Sequence, residues 1–401
     1  MRPRCRTVLL LCLVALLLPA RPHADTPRRV LHVSLYPYIP DPSDAALTLK
    51  QGFEHQYPDV IVDITFNRNY YSPESADHGV LFETADVHEL DGVFLRDFAD
   101  RGKLAPLPPA LAAAGAGLEP LAAQSATLDG RLVAVPHWMC ADFLIYRADQ
   151  SGLAGAPTLA AMEHALGSSH GLLMDLKGAD TLGEYDLAAL LARYGTAPAA
   201  LSHAATPDPY ITARLRRFLA LEPPGFGRNA DYDARGSFYA RQFARRAGSA
   251  FVGYSEMTHE VLDETAVSCR IEDRCITQSE IRIAPLPFQD GTIHPAVWVD
   301  MFVIDAAVHG QSLQDAADFI TYAVSLPAYR ALLIPQPGDS PRYLLPATQA
   351  AFADPHILGT APLYPSFRAI LERGAVIIAP HLSATLHAAA AALDAALPER
   401  H

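Results

Sequence analysis

The chain holds five cysteines, and Cys140 stands apart from the other four. Cys5 and Cys12 fall in an N-terminal stretch with the marks of an export signal. Cys269 and Cys275 frame a short polar segment, Arg270-Ile271-Glu272-Asp273-Arg274. In an oxidising compartment that spacing reads as a disulfide closing a small loop, worth about 2 kcal/mol in the chain-entropy view. Cys140 is then an unpaired thiol in an exported protein, which is seldom kept without a use. It reads as a nucleophile. A free thiol ionises near pH ~8.5, so a few per cent is thiolate at neutral pH, and a nucleophilic cysteine needs a base or a positive neighbour. Glu256 is the candidate base. Phe251, Tyr254 and Met257 surround it in sequence, and an apolar, aromatic setting lifts a carboxyl toward neutrality. His137 invites a Cys–His pairing, but side chains on an extended chain alternate between faces, which turns it away from Cys140. Each of these residues also has a plainer reading: cysteines are often inert core residues, and Glu256 after a strand can be a surface acid.

The elements that must position these groups follow from hydrophobic patterning. Val30 to Leu35 reads as a strand running into an aromatic turn, Tyr36-Pro37-Tyr38-Ile39-Pro40. Ser43 can cap a helix to about Tyr57, where Pro58 ends it. Val60 to Ile64 is a second strand, so this is a βαβ crossover and a parallel pair. A third unit places a strand near Ala85 to Leu90, then Asp91, then a helix with Phe94 and Phe98 on its apolar face. The segment 105–128 reads as helix and loops. Leu132 to Val135 reads as a short strand leading into Cys140, and Phe143 to Arg147 as another. Helices are expected at about 158–166, 184–194, 209–220 and 234–246. Strands follow at Ser249–Tyr254, Ile281–Leu286 and Ala296–Ile304, then helix over most of 311–333 and an amphipathic helix at 383–397. That order predicts a two-lobed α/β fold with an interlobe cleft, where ligands sit at the carboxyl ends of strands. Tyr36, Tyr38, Asp91, Cys140 and Glu256 all fall at such ends. Asp91 can equally cap the helix beside it. Asp300 lies within a strand between Val299 and Met301, where an unpaired carboxylate would be costly, so it needs a partner or a ligand.

Composition narrows the function. At 401 residues the chain is long enough for two cores. Half of it is hydrophobic and 19% is charged, a globular composition. Its formal net charge of −13, with no visible Lys/Arg cluster, argues against a nucleic-acid partner. Arg2, Arg4 and Arg6 precede the apolar run Val8–Leu18, which is too short to span a bilayer and is followed by Pro19-Ala20. Residues 1–24 therefore read as a secretory signal cleaved after Ala20 or Ala24, leaving a periplasmic or secreted protein with no membrane segment. The 16 histidines lack metal-ligand spacing, and there is no glycine-rich phosphate loop, so neither metal nor cofactor is expected.

Five patches, in order, resemble the thiaminase I (thiamine pyridinylase) family, which is built on the periplasmic-binding-protein type 2 fold. They are Tyr36-Pro37-Tyr38-Ile39-Pro40-Asp41-Pro42, Leu90-Asp91-Gly92-Val93-Phe94-Leu95, Cys140 with Leu144-Ile145-Tyr146-Arg147, Phe251-Val252-Gly253-Tyr254-Ser255-Glu256, and Tyr343-Leu344-Leu345-Pro346-Ala347. The resemblance implies one lobe from 28–138 and 285–337, and the other from 139–284 and 338–401. It implies a transferase: the enzyme thiolate adds to the thiamine pyrimidine, thiazole leaves, and an amine or thiol then displaces the enzyme. Cys140 matches the family's nucleophile and Glu256 its base. Asp91 and Asp300 match substrate-binding acids. Tyr36 or Tyr38, Tyr71 and Tyr254 match pocket aromatics. The sequence departs from the pattern at Trp298, where the family has tyrosine, and near Ser237, where an expected tyrosine is missing although Phe238 and Tyr239 adjoin it. The run His137-Trp138-Met139 also differs. The implied partners are thiamine and a nucleophilic amine or thiol, taken by a monomer. A solute receptor of an importer, carrying thiamine, a pyrimidine or a sugar, is the other class the fold admits. A relative repurposed for other pyrimidines is the third.

Overall fold

The computed structural model describes residues 27–67, 70–71, 85–155, 158–167, 170–224, 226, 232–268, 275–290 and 294–398. The expected signal segment, 1–24, lies outside them, as does Cys269, and with it the pairing expected for Cys275. Among the described residues, Cys140 is a free thiol, and no helix is long and apolar enough to cross a membrane.

Among the described residues thirteen strands run in chain order: β1 (Arg29–Leu35), β2 (Val60–Phe66), β3 (Val87–Asp91), β4 (Thr127–Leu128), β5 (Arg131–Leu132), β6 (Val135–Cys140), β7 (Phe143–Arg147), β8 (Leu172–Leu173), β9 (Ala250–Gly253), β10 (Ile281–Pro285), β11 (Ala296–Ile304), β12 (Leu345–Pro346) and β13 (Ala375–Val376). Two sheets carry the molecule. The first has the order β12-β6-β11-β3-β1-β2, with β13 against β11; the second has the order β10-β7-β9-β8.

The βαβ start is as the pattern predicts. β1 and β2 are parallel, with Val33 opposite Ile64, and the intervening helix Pro42–Gln56 buries Ala45, Leu49 and Phe53 on one face. That helix begins two residues earlier than a Ser43 cap implies. Asp41, at φ 49°, is its N-cap and Pro42 its first residue, so Ser43 is not the cap. A proline needs no hydrogen bond for its nitrogen there, which makes it a suitable opener.

The middle of the first sheet is antiparallel. β11 lies between β3 and β6 and opposes both. All nine of its residues are buried, as a strand covered on both faces requires. The strand expected at Leu132–Val135 is displaced: Arg131–Leu132 closes a small hairpin with β4, while the strand that matters, β6, runs from Val135 through Cys140 itself. Immediately after Cys140 the chain leaves the first sheet, and after Ala141 and Asp142 it enters β7 of the second. Cys140 thus sits where one sheet hands the chain to the other.

Among the described residues, the helices Ala197–His203, Met257–Ser268, Gln349–Phe352, Pro355–Thr360 and Tyr364–Leu371 escaped the pattern reading. Another, Ala179–Tyr194, starts earlier than expected. It packs along Leu382–Ala396, and Gly183 is the point of contact: a Cβ there would lie 2.4 Å from the Leu386 carbonyl oxygen. No side chain fits, so glycine sets how closely the two helices approach.

Candidate active site

Strand register places the chemistry. β7 pairs antiparallel with β9, Phe143 opposite Gly253. The residues just before Phe143 therefore run beside those just after Gly253, which brings Cys140 to the same region as Tyr254-Ser255-Glu256. Across the first sheet, Trp298 stands opposite Cys140 and Asp300 stands opposite Asp91. Alternation along β11 keeps Trp298 and Asp300 on one face. The result is a cleft of ≈ 260 Å³ between the sheets. Tyr36, Tyr38, Tyr71, Asp91, Cys140, Tyr254, Glu256, Trp298 and Asp300 all line it. His137 does not; the structure turns it away from the thiol, toward Glu89.

Asp91 serves in two ways at once. One oxygen caps the helix Gly92–Asp100 by accepting from Val93 N at 3.0 Å. The other accepts from the Tyr71 hydroxyl at 2.6 Å, and the Tyr71 hydroxyl lies 2.7 Å from that of Tyr36. Tyr38 stacks on Tyr71 with ring centres 5.7 Å apart. Burial, with Asp300 and Asp91 nearby, pushes the Tyr36 phenol well up. Burial, reinforced by the charge of Asp91, does the same to Tyr71. Both stay protonated donors.

Burial lifts Glu256 from 4.5 to about 7; the Ser255 hydroxyl, 3.3 Å from its Oε2, partly offsets this. Asp300 is raised well above the usual carboxyl range, first by burial and then by Asp91 across the strand pair. The Cys140 thiol is raised too, by burial first and then by Asp300, Glu256, Glu184 and Asp91. The thiol is therefore neutral near pH 7.

Sequence reasoning missed three acids. Glu184 reaches the cleft from the helix Ala179–Tyr194 and accepts a hydrogen bond from the Tyr254 hydroxyl. Glu260 lines the cleft from the helix Met257–Ser268. Asp142, two residues after Cys140, is buried outside the cleft lining and raised to about 8, by burial first and then by the charge of Glu256. Asp142 follows a residue already singled out, which was a usable signal. Glu184 gave none, because it lies far along the chain on a helix whose orientation depends on Gly183. Trp138, Met139, Met257 and Leu344 complete the apolar walls, with Ser237 at one side. Among the described residues lining the cleft, none is Lys, Arg or His, whereas Asp91, Glu184, Glu256, Glu260 and Asp300 are acids. The site is shaped for a flat, positively charged molecule: aromatic faces attract cations by about 0.5–2 kcal/mol each, and the carboxylates add to that. No group of three or more His, Cys, Asp or Glu among the described residues is placed to hold a metal ion.

Two sheets joined by repeated crossings, with a cleft between them, define a two-lobed protein of the periplasmic-binding-protein type 2 fold. Maltose-bound MalE3 of T. maritima has this fold, superimposing with a TM-score of 0.66 at 16% identity over 92% of this chain and 96% of its own. The resemblance to thiaminase I runs through most of the chain. Clostridium botulinum thiaminase I in complex with thiamin superimposes with a TM-score of 0.75 at 18% identity, over 90% of this chain and 98% of that one. In sequence, the chain is 24% identical over 365 residues to Thiaminase-1 of Paenibacillus thiaminolyticus, a match spanning 88% of this chain and 83% of that protein. No family model matches the chain.

Proposed function

We propose that this protein is an exported thiaminase I-like transferase that moves the thiamine pyrimidine to an amine or thiol acceptor through a covalent adduct on Cys140. The observation that carries the reading is the meeting of a free thiol with a carboxyl held near neutrality, in an acidic aromatic cleft that contains no cation among its described residues. A receptor that only carries a solute has no need of that pair.

The residues divide the work as follows. The substrate cation enters among Tyr36, Tyr38, Tyr71 and Trp298, and its charge offsets the carboxylates that add to burial in holding the thiol neutral. Glu256 then takes the thiol proton. Its affinity for a proton near pH 7 suits it to accept one and later give it back. The thiolate forms a bond to the pyrimidine, the bond to the thiazolium nitrogen breaks, and the electron pair stays with the departing thiazole, which leaves uncharged. Asp300, protonated, donates to a ring nitrogen or other acceptor of the pyrimidine, while Asp91 accepts from its amino group. An amine or thiol next bonds to the pyrimidine portion as the bond to the Cys140 sulfur breaks; the departing sulfur takes back the proton held by Glu256, and the freed carboxylate takes up the acceptor's proton and releases it to solvent. The protein's own groups perform each step without a cofactor, and one chain suffices.

Thiamine and an aromatic amine, incubated with the protein, should release thiazole, and mass spectrometry should find a pyrimidine adduct on Cys140. No release from protein whose Cys140 is free would refute the reading. The fold shared with maltose-bound MalE3 favours a second reading, an exported receptor, for which the same experiment would return an intact, unmodified complex.

A further inference from the structure

Glu89 and His137 form a buried pair that none of these steps uses. They are 3% and 1% exposed. The register between β11 and β6 shifts at Asp300/Met301: Trp138 pairs with Asp300 and Pro136 with Met301, leaving His137 as the extra residue. Such a bulge re-aims a side chain. His137 is aimed at β3, where its Nδ1 lies 2.5 Å from Glu89 Oε1. The ring is fixed between Trp138 at 4.0 Å and Phe302 at 4.7 Å. Its carbonyl accepts from the Tyr329 hydroxyl at 2.7 Å and from Ala347 N at 3.0 Å. Nε2 is buried with no hydrogen-bond partner. A carboxylate only accepts, so the network assigns the proton to Nδ1. The second Glu89 oxygen accepts from Tyr36 N at 3.0 Å.

These contacts join into one line. It starts on β6, the strand that ends in Cys140, passes over β11 to Glu89 on β3, and reaches the backbone of Tyr36 beyond β1. From there it continues through the Tyr36 and Tyr71 hydroxyls to Asp91. We propose that Glu89 and His137 are positioning residues that set the tyrosine wall relative to the Cys140 strand, so that a flat ring stacked on Tyr36 and Tyr71 meets the sulfur. The kinetic part of this inference rests on thiamine being the substrate; the structural part does not.

In Glu89→Gln the carbonyl oxygen can still accept from Tyr36 N, but the amide can only donate to His137 Nδ1, which forces the ring proton onto Nε2, a buried position with no acceptor. The expected result is a KM for thiamine raised about tenfold, with kcat within about threefold. The near-ultraviolet circular dichroism of the tyrosines should change while the far-ultraviolet spectrum stays the same. Tyr36→Ala removes the ring that the pair positions, so Glu89→Gln/Tyr36→Ala should be no worse than Tyr36→Ala alone; additive losses would overturn the inference. His137→Gln, whose amide can still donate to Glu89, should keep KM near the wild-type value, while His137→Leu should not. Equal losses in the two would also overturn it. Wild-type protein inert toward thiamine would refute the functional reading alone, and the near-ultraviolet spectrum of Glu89→Gln would then decide the positioning role: an unchanged spectrum overturns it.

Discussion

Replacing Glu256 with glutamine should abolish turnover and at the same time make the protein more stable, by an amount that depends on pH. The structure raises this carboxyl from 4.5 to about 7 by burial. Between those values the folded state binds more protons than the unfolded state, so stability falls as pH rises through the window. Well above pH 7 the buried charge costs about 3 kcal/mol, at 1.36 kcal/mol for each tenfold change in proton affinity. Glutamine has nearly the same shape and no charge. Glu256→Gln should therefore gain up to about 3 kcal/mol over wild type at pH 8.5, and under about 1 kcal/mol at pH 5, where the wild-type carboxyl is itself protonated. Urea unfolding of both proteins at the two pH values measures this directly. Initial rates of thiazole release from the wild type give the catalytic counterpart: a base titrating near 7 makes kcat/KM fall as pH drops through that value. Equal stability of the two proteins at pH 8.5, or a difference that does not change with pH, would refute the view of Glu256 as a buried acid near neutrality. A stable Glu256→Gln variant with full activity would refute its role as base.

Cys140→Ser should lose turnover by about a thousandfold or more while still binding thiamine in equilibrium dialysis, because the rest of the cleft is untouched. The neutral, carboxylate-surrounded thiol of the free protein should react with iodoacetamide about tenfold or more slowly at pH 7.5 than a small free thiol does. After denaturation without reductant, the processed chain should take up one label, Cys269 and Cys275 being protected by their expected pairing. Tyr71→Phe removes the hydroxyl that donates to Asp91 at 2.6 Å; thiamine KM should rise about tenfold with the fold intact, and an unchanged KM would remove Tyr71 from the binding wall.

The residues of the cleft were legible to different degrees. Cys140 and Glu256 could be picked out because a lone thiol in an exported chain and an acid ending an apolar strand are local signals. Asp91 was legible twice over, as a helix cap and as a cleft acid; the structure shows it capping the helix Gly92–Asp100 and lining the cleft. The first βαβ unit followed from local rules as well: alternation in β1, an apolar stripe on the helix Pro42–Gln56, and Pro58 after it. Its start was misjudged by two residues because proline at the first helical position outweighed serine as the opener.

Sequence alone therefore determined most of the segments that become strands and helices and singled out Cys140 and Glu256 as candidates for chemistry, because those signals lie within a few residues. Only the tertiary structure decided who meets whom. The antiparallel seating of β11 between β3 and β6, which sets Asp300 against Asp91 and Trp298 against Cys140, joins segments some 160 to 210 residues apart in number. Glu184 enters the cleft because Gly183 lets two distant helices touch. His137 turns to Glu89 because one strand is a residue longer than its partner across a bulge. Each of these is a long-range pairing, and a chain encodes such pairings only through the burial and hydrogen bonding of the whole fold.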